Sequence, residues 1–182
     1  MRERFPLCAA LTAAMLLTHT AAYARTTGPK RSIAVDMVVI HATGGPGCDA
    51  RTGRPTWARG GTLEANTAYL ERHPTVGIHY LIDRDGTVRA SIPEDEVAHH
   101  VRDYSERSIG IELVNDGDGA ERFPEAQIQA LVALLRAVTG RHMVSRDGVK
   151  RHSDLDLSRL PCDQSRRRKV DPGSVFPFDR VV

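Results

Sequence analysis

The sequence predicts a single α/β domain, a mixed β-sheet flanked by helices. Three observations carry that expectation. The chain has 182 residues, enough for one sizeable core but not two. Short β-branched apolar runs alternate with segments of helical period. The composition is ordinary for a folded chain, with 41% hydrophobic and 26% charged residues, which argues against a disordered or collagen-like polymer. The charge balance narrows the partners. Lys plus Arg is 25 and Asp plus Glu is 23, a net +2, so there is no electrostatic case for nucleic acid. No apolar run reaches the roughly 18 residues of a permanent membrane span.

Residues 1–24 read as a Sec-type signal peptide. Arg2 and Arg4 precede the apolar stretch 7–17, and Ala22-Tyr23-Ala24 supplies the small residues of a cleavage site. The expected location is therefore periplasmic or secreted. Residues 25–34 are polar and punctuated by Gly28 and Pro29, a flexible leader, and 35–182 form the folded domain. Residues 35–41 are β-branched and apolar, a buried strand. Residues 44–61 hold six glycines and two prolines, a long irregular loop. Thr62 caps a helix running to Arg72, ended by His73-Pro74. Residues 77–82 and 87–91 flank Asp83-Arg84-Asp85-Gly86, a hairpin signal. In 108–114, Ile109, Ile111 and Leu113 take one face, and Gly110 and Glu112 the other. The strongest helix signal is 124–139. It opens at Pro124, carries an apolar stripe of Ile128, Leu131, Val132, Leu135 and Val138, and is expected to stop at Gly140. Residues 148–152 suggest a short strand ending at His152, and 171–178 a loop.

Export changes how the cysteines read. Cys8 leaves with the signal, and Cys48 and Cys162 remain as an even pair in an oxidising compartment, so a disulfide between them is expected. Two independent buried thiols are the alternative.

Seven histidines lie beyond residue 24, and two stand out by context. His41 ends the buried strand and leads into the Gly-rich loop. His152 ends a second short strand. A hydrolytic zinc site takes three protein ligands and one open position, and His, His and a carboxylate meet that need. Asp171 offers the carboxylate. In an extended stretch Lys169 and Asp171 point together before Pro172-Gly173 turns the chain. On pattern alone the same pair reads equally well as a surface salt bridge. Glu112, an acid on an apolar strand, either faces solvent or lines a cleft; in a cleft, burial would raise its pKa and suit it as a general base. Arg166, Arg167 and Arg168 read as a solvated loop or as an anion contact. Trp57 reads as a sugar-stacking ring or as a core plug.

These pieces together resemble the zinc-dependent N-acetylmuramoyl-L-alanine amidases of the amidase-2 type, whose fold is shared with peptidoglycan-recognition proteins and phage lysozyme-type amidases. The matching segments are VVIHAT (38–43), GIHYLIDRDGTV (77–88), IPEDEVAHH (92–100), SIGIELVN (108–115), the helix 124–139, KRHSD (150–154) and RKVDPG (168–173), in family order. The resemblance implies one Zn2+ held by His41, His152 and Asp171, with Glu112 as the catalytic acid–base and Lys169 assisting at the transition state. It implies that His100 and Asn115 line a groove for peptidoglycan or muropeptide. A monomer is the expected state. Where some relatives carry a catalytic tyrosine before the hairpin histidine, this chain has Ile78, which favours the Glu112-dependent branch. Alternatives are a wall-binding module without catalysis, an antibacterial effector or a lysin.

Overall fold

The computed structural model describes residues 28–182. The expected signal peptide, residues 1–24, lies outside the described residues. The elements are β1 (Met37–Ala42), β2 (Gly45–Cys48), β3 (Pro55–Ala58), α1 (Leu63–Arg72), β4 (Tyr80–Ile82), β5 (Val88–Ala90), β6 (Ser108–Leu113), α2 (Glu125–His142), β7 (Val149–Arg151), α3 (His152–Leu155), β8 (Arg159–Leu160), β9 (Asp163–Arg167) and α4 (Phe178–Val181). Five strands form one mixed sheet in the order β5-β4-β6-β1-β7. β4, β6, β1 and β7 run parallel, and β5 is antiparallel at one edge.

Strand alternation decides where the core lies. Val38 and Ile40 of β1 and Ile109, Ile111 and Leu113 of β6 turn to one side, where they pack on Ile128, Leu131, Leu135 and Val138 of α2. That is the stripe read from the sequence, with Val132 only partly buried. Gln127 sits on the same helix face. Its side-chain amide donates to the carbonyls of Ile82 and Val114 at 3.0 and 3.1 Å, tying the helix to the ends of β4 and β6. No helix among the described residues is long and apolar enough to cross a membrane.

Four expectations meet a different arrangement. α2 runs through Gly140 to His142 and ends at Met143, whose backbone is left-handed (φ 55, ψ 34). Gly140 costs only about 1 kcal/mol inside a helix, so the continuing ladder absorbs it. The Gly-rich loop contains the antiparallel pair β2–β3. Its Cys48 is joined to Cys162 by a disulfide across 114 residues, a closure valued at roughly 4–5 kcal/mol. His152 begins the helix α3 instead of ending a strand, because Asp154 turns back to accept from the Arg151 N–H. Finally, the described part of the expected flexible leader is tied down. The Arg31 guanidinium donates to the carbonyls of Glu94 (2.7 Å) and Ser108 (2.7 Å), and Lys30 bridges Glu96. The Arg31 guanidinium also donates to the carbonyls of Ser105 and Glu106 and lies 2.8 Å from His79 Nε2, so each of its nitrogens has a partner.

Candidate functional site

The face of the sheet opposite α2 carries different chemistry. The parallel register sets His41 beside Glu112 and Glu112 beside Leu81. Paired residues on neighbouring strands project to the same face, so His41 and Glu112 become neighbours although 71 positions separate them in the chain. The N-terminus of α3 delivers His152, and the Ser153 N–H donates to the Asp171 carbonyl at 3.0 Å, holding Asp171 against that helix.

His41, His152 and Asp171 converge, all three buried. The two Nδ1 atoms are 2.8 Å apart, His152 Nδ1 is 2.9 Å from Asp171 Oδ2, and His41 Nδ1 is 3.4 Å from the same oxygen. Four-coordinate zinc with N and O ligands at about 2.0–2.2 Å spaces its donors by about 3.2–3.6 Å. The three donors match that spacing to within roughly half an ångström. Burial lowers the His41 pKa to about 4, against the pull of Asp171. Burial works to raise Asp171, but hydrogen bonds from His152 and His41 hold it well below the usual carboxylate range. An uncharged His41 and an ionised Asp171 are the forms that ligate a metal. The donor set therefore fits a divalent cation.

The cluster forms the floor of a cleft of about 340 Å³, also lined by Glu112, Lys169 and His100. Desolvation raises the Glu112 pKa to about 8; the Asp171 charge adds to this and Lys169 opposes it. A carboxyl poised there can both take and return a proton near neutral pH. A second cavity of about 740 Å³ adjoins it, sharing His100, His152, Arg168 and Lys169 and reaching His99 and Arg102.

His100 does more than line these cavities. Its Nδ1 lies 2.9 Å from His41 Nε2, and its Nε2 lies 3.2 Å from Ser108 Oγ, whose hydroxyl donates to the Tyr104 carbonyl at 2.7 Å. The whole chain is satisfied when His41 carries its proton on Nε2 and donates it to His100. His41 Nδ1 is then bare, facing His152 and Asp171. Gly110 makes this possible: a Cβ there would sit 2.6 Å from the His100 ring. The sequence signal for this pairing was the glycine on the Glu112 face of β6.

The remaining expectations sort cleanly. Asn115 is fully buried and lines neither cavity. Its Oδ1 accepts from the Gly117 N–H at 2.8 Å, so it braces a turn instead of forming a groove. Arg166 pairs with Asp163, Arg168 with Asp156, and Arg167 donates to the carbonyls of Ser153 and Asp156. Trp57 is no core plug, being 39% exposed.

The fold and site together define a mixed α/β domain in which three buried donors that could hold a metal ion open onto a cleft with an acid and an amine. Residues 30–174 match the family described as N-acetylmuramoyl-L-alanine amidase, Amidase_2, and the chain belongs to that family. It is 34% identical over 116 residues to the 1,6-anhydro-N-acetylmuramyl-L-alanine amidase AmpD of Enterobacter cloacae, a match covering 59% of this chain and 56% of that protein. The matched region thus spans little more than half the length of AmpD. The chain is 40% identical over 110 residues to an endolysin of Enterobacteria phage K11, covering 58% and 70% of the two. Among solved structures, the E. coli amidase AmiD in complex with anhydro-N-acetylmuramic acid-L-Ala-D-gamma-Glu-L-Lys superposes with a TM-score of 0.63 at 24% identity, covering 89% of this chain and 58% of that one. That likeness establishes the fold.

Proposed function

We propose that this protein is a zinc-dependent N-acetylmuramoyl-L-alanine amidase, exported from the cytoplasm, that cleaves the amide between the lactyl group of N-acetylmuramic acid and L-Ala of the stem peptide. The observation that carries the reading is the meeting of Glu112 and Lys169 with the His41–His152–Asp171 cluster in one cleft. His41, His152 and Asp171 would hold the ion. Zn2+, when bound, would acidify a water and polarise the amide carbonyl.

The chain's own residues then do the following. Glu112 accepts a proton from the attacking water as the new C–O bond forms. The Lys169 ammonium donates to the carbonyl oxygen while that oxygen carries negative charge. Glu112 returns the proton to the nitrogen of L-Ala as the C–N bond breaks, leaving a lactyl carboxylate and a free amine. His100 keeps His41 in one tautomer throughout.

The test is Glu112→Gln. Zinc content should stay at one ion per chain, while amide cleavage, read by mass spectrometry of muropeptide products, falls by roughly 10²–10⁴. Phenanthroline should abolish wild-type cleavage and added zinc restore it. Full activity of the zinc-loaded variant overturns the assignment of Glu112.

The match to phage endolysins favours a second reading of role, lysis of intact wall instead of turnover of shed fragments. Rates on intact sacculi against soluble anhydro-muropeptides separate the two. A binding module without catalysis is disfavoured, because all three cation donors, the acid and the amine are present together.

A further inference from the structure

Trp57 is the only tryptophan in the chain, and it stands on β3, every residue of which is exposed. Its ring is held in place. Nε1 donates to the Asp116 carbonyl at 2.8 Å. Asp116 is itself clamped: Oδ1 accepts from the Gly60 N–H at 2.7 Å, and Oδ2 pairs with Arg59 at 2.5 Å. The β2–β3 hairpin carrying the ring is anchored by the Cys48–Cys162 disulfide. A large apolar plane with its polar tip satisfied is thus fixed at the surface.

The ring forms one wall of a cavity of about 440 Å³, distinct from the cleft. Asp118, Ser153, Ser174 and Lys169 contribute polar groups. Gly117, Gly119 and Gly173 line it too, all with positive φ (61, 77 and 98). Side chains there would fill it or crowd it: a Cβ on Gly119 would lie 2.8 Å from Ser174 Oγ. Lys169 lines both this cavity and the cleft, so the two share a wall.

The charges say what fits. Two arginines reach the cavity, each with partners on part of its guanidinium, while Arg167 Nε has none among the described residues. Arg151 pairs with Asp154 at 3.0 Å, and Arg167 donates to two backbone carbonyls. The lining therefore offers an aromatic plane with hydroxyls, one carboxylate, one amine and two guanidinium groups that can donate to sugar hydroxyls or an acetamido oxygen. A pyranose matches it, with its C–H face on the indole and its hydroxyls on the polar rim.

We propose that this cavity is a glycan subsite that takes an N-acetylated hexosamine of the sugar strand, with Trp57 as its platform. The inference rests on the amidase reading and deepens it, since it names where the sugar side of the substrate sits.

The experiment uses the zinc-loaded protein and Trp57 as its own reporter. Chitotetraose, which has no stem peptide, should shift the tryptophan emission to the blue and saturate. The stem peptide L-Ala-D-Glu-L-Lys alone should leave the emission unchanged. By calorimetry, Trp57→Ala should weaken chitotetraose binding by at least about tenfold, and Trp57→Tyr should restore most of it. The exposed position predicts that both variants keep the wild-type melting temperature. No emission change with chitotetraose overturns the proposal. So does an equal response to the peptide or to polyphosphate, or unchanged binding by Trp57→Ala. The titration involves no amide cleavage, so its failure is distinguishable from failure of the amidase reading, which muropeptide hydrolysis decides separately.

Discussion

The two faces of the same strands obey different rules. On the α2 side, β1 and β6 present Val38, Ile40, Ile109, Ile111 and Leu113 to an apolar stripe. On the other side the same strands present His41, Gly110 and Glu112 to the cleft. The first face is held by area, and many apolar residues of similar volume would serve. The second is held by individual atoms: a ring nitrogen, a missing Cβ, a desolvated carboxyl. Stability should therefore concentrate on one face and function on the other.

The largest test of that contrast is Leu131→Ala. Leu131 is fully buried under the sheet, and its loss should cost about 2–5 kcal/mol in denaturant unfolding. Zinc affinity should not change. A parallel loss of zinc affinity would mean that the two faces are coupled through the strands.

His100→Ala probes the cleft face. It removes the partner of His41 Nε2, and loss of such a partner typically weakens metal affinity about 10–100-fold. Competition with a chelating dye reads it, alongside a thermal melt to show that the fold persists. Unchanged affinity would mean that His41 needs no help to present Nδ1.

The smallest effect sharpens the electrostatic difference, in the metal-free protein. Glu112 has a folded pKa raised to about 8 by desolvation. Its contribution to stability is then fully present below its ordinary pKa near 4.5 and is lost as pH rises through about 8. Glu112→Gln removes that titration. The variant should gain melting temperature relative to wild type as pH climbs across this window, by a few degrees. An unchanged difference at all pH values would place the Glu112 carboxyl in water.

The fold was legible where pattern and element coincide. The alternation of residues 108–114 and the stripe of α2 announce buried faces, because burial repeats at the period of the backbone. The candidate donors were legible for another reason. His41 and Glu112 are polar residues at the end or on the face of an apolar strand, whereas Asp171 lies in a polar stretch that reads equally well as a surface salt bridge, and only the family resemblance joins it and His152 to the set. His100 lines the cleft, but its further bond to His41 and the anchoring role of Arg31 are not legible in the sequence. His100 looked like a groove residue, and its bond to His41 depends on a ring 59 positions away. Arg31 looked like part of a free leader, and its carbonyl partners lie beyond residue 90. Asn115, expected at the groove only from the resemblance, lies past the end of β6 and turns inward, whereas Glu112 lies on the strand face that lines the cleft.

By itself the sequence determined the periodicities, the buried stripe, the disulfide-competent pair and the residue types available for catalysis, since each is a property of a few neighbouring positions. Which of those residues meet was decided by the tertiary structure. His41 and His152 are 111 residues apart, and only the parallel register and the entry of α3 bring their nitrogens to one point. Backbone preference and hydrophobic period act locally, whereas a three-donor cage depends on distances set by the packing of the whole sheet.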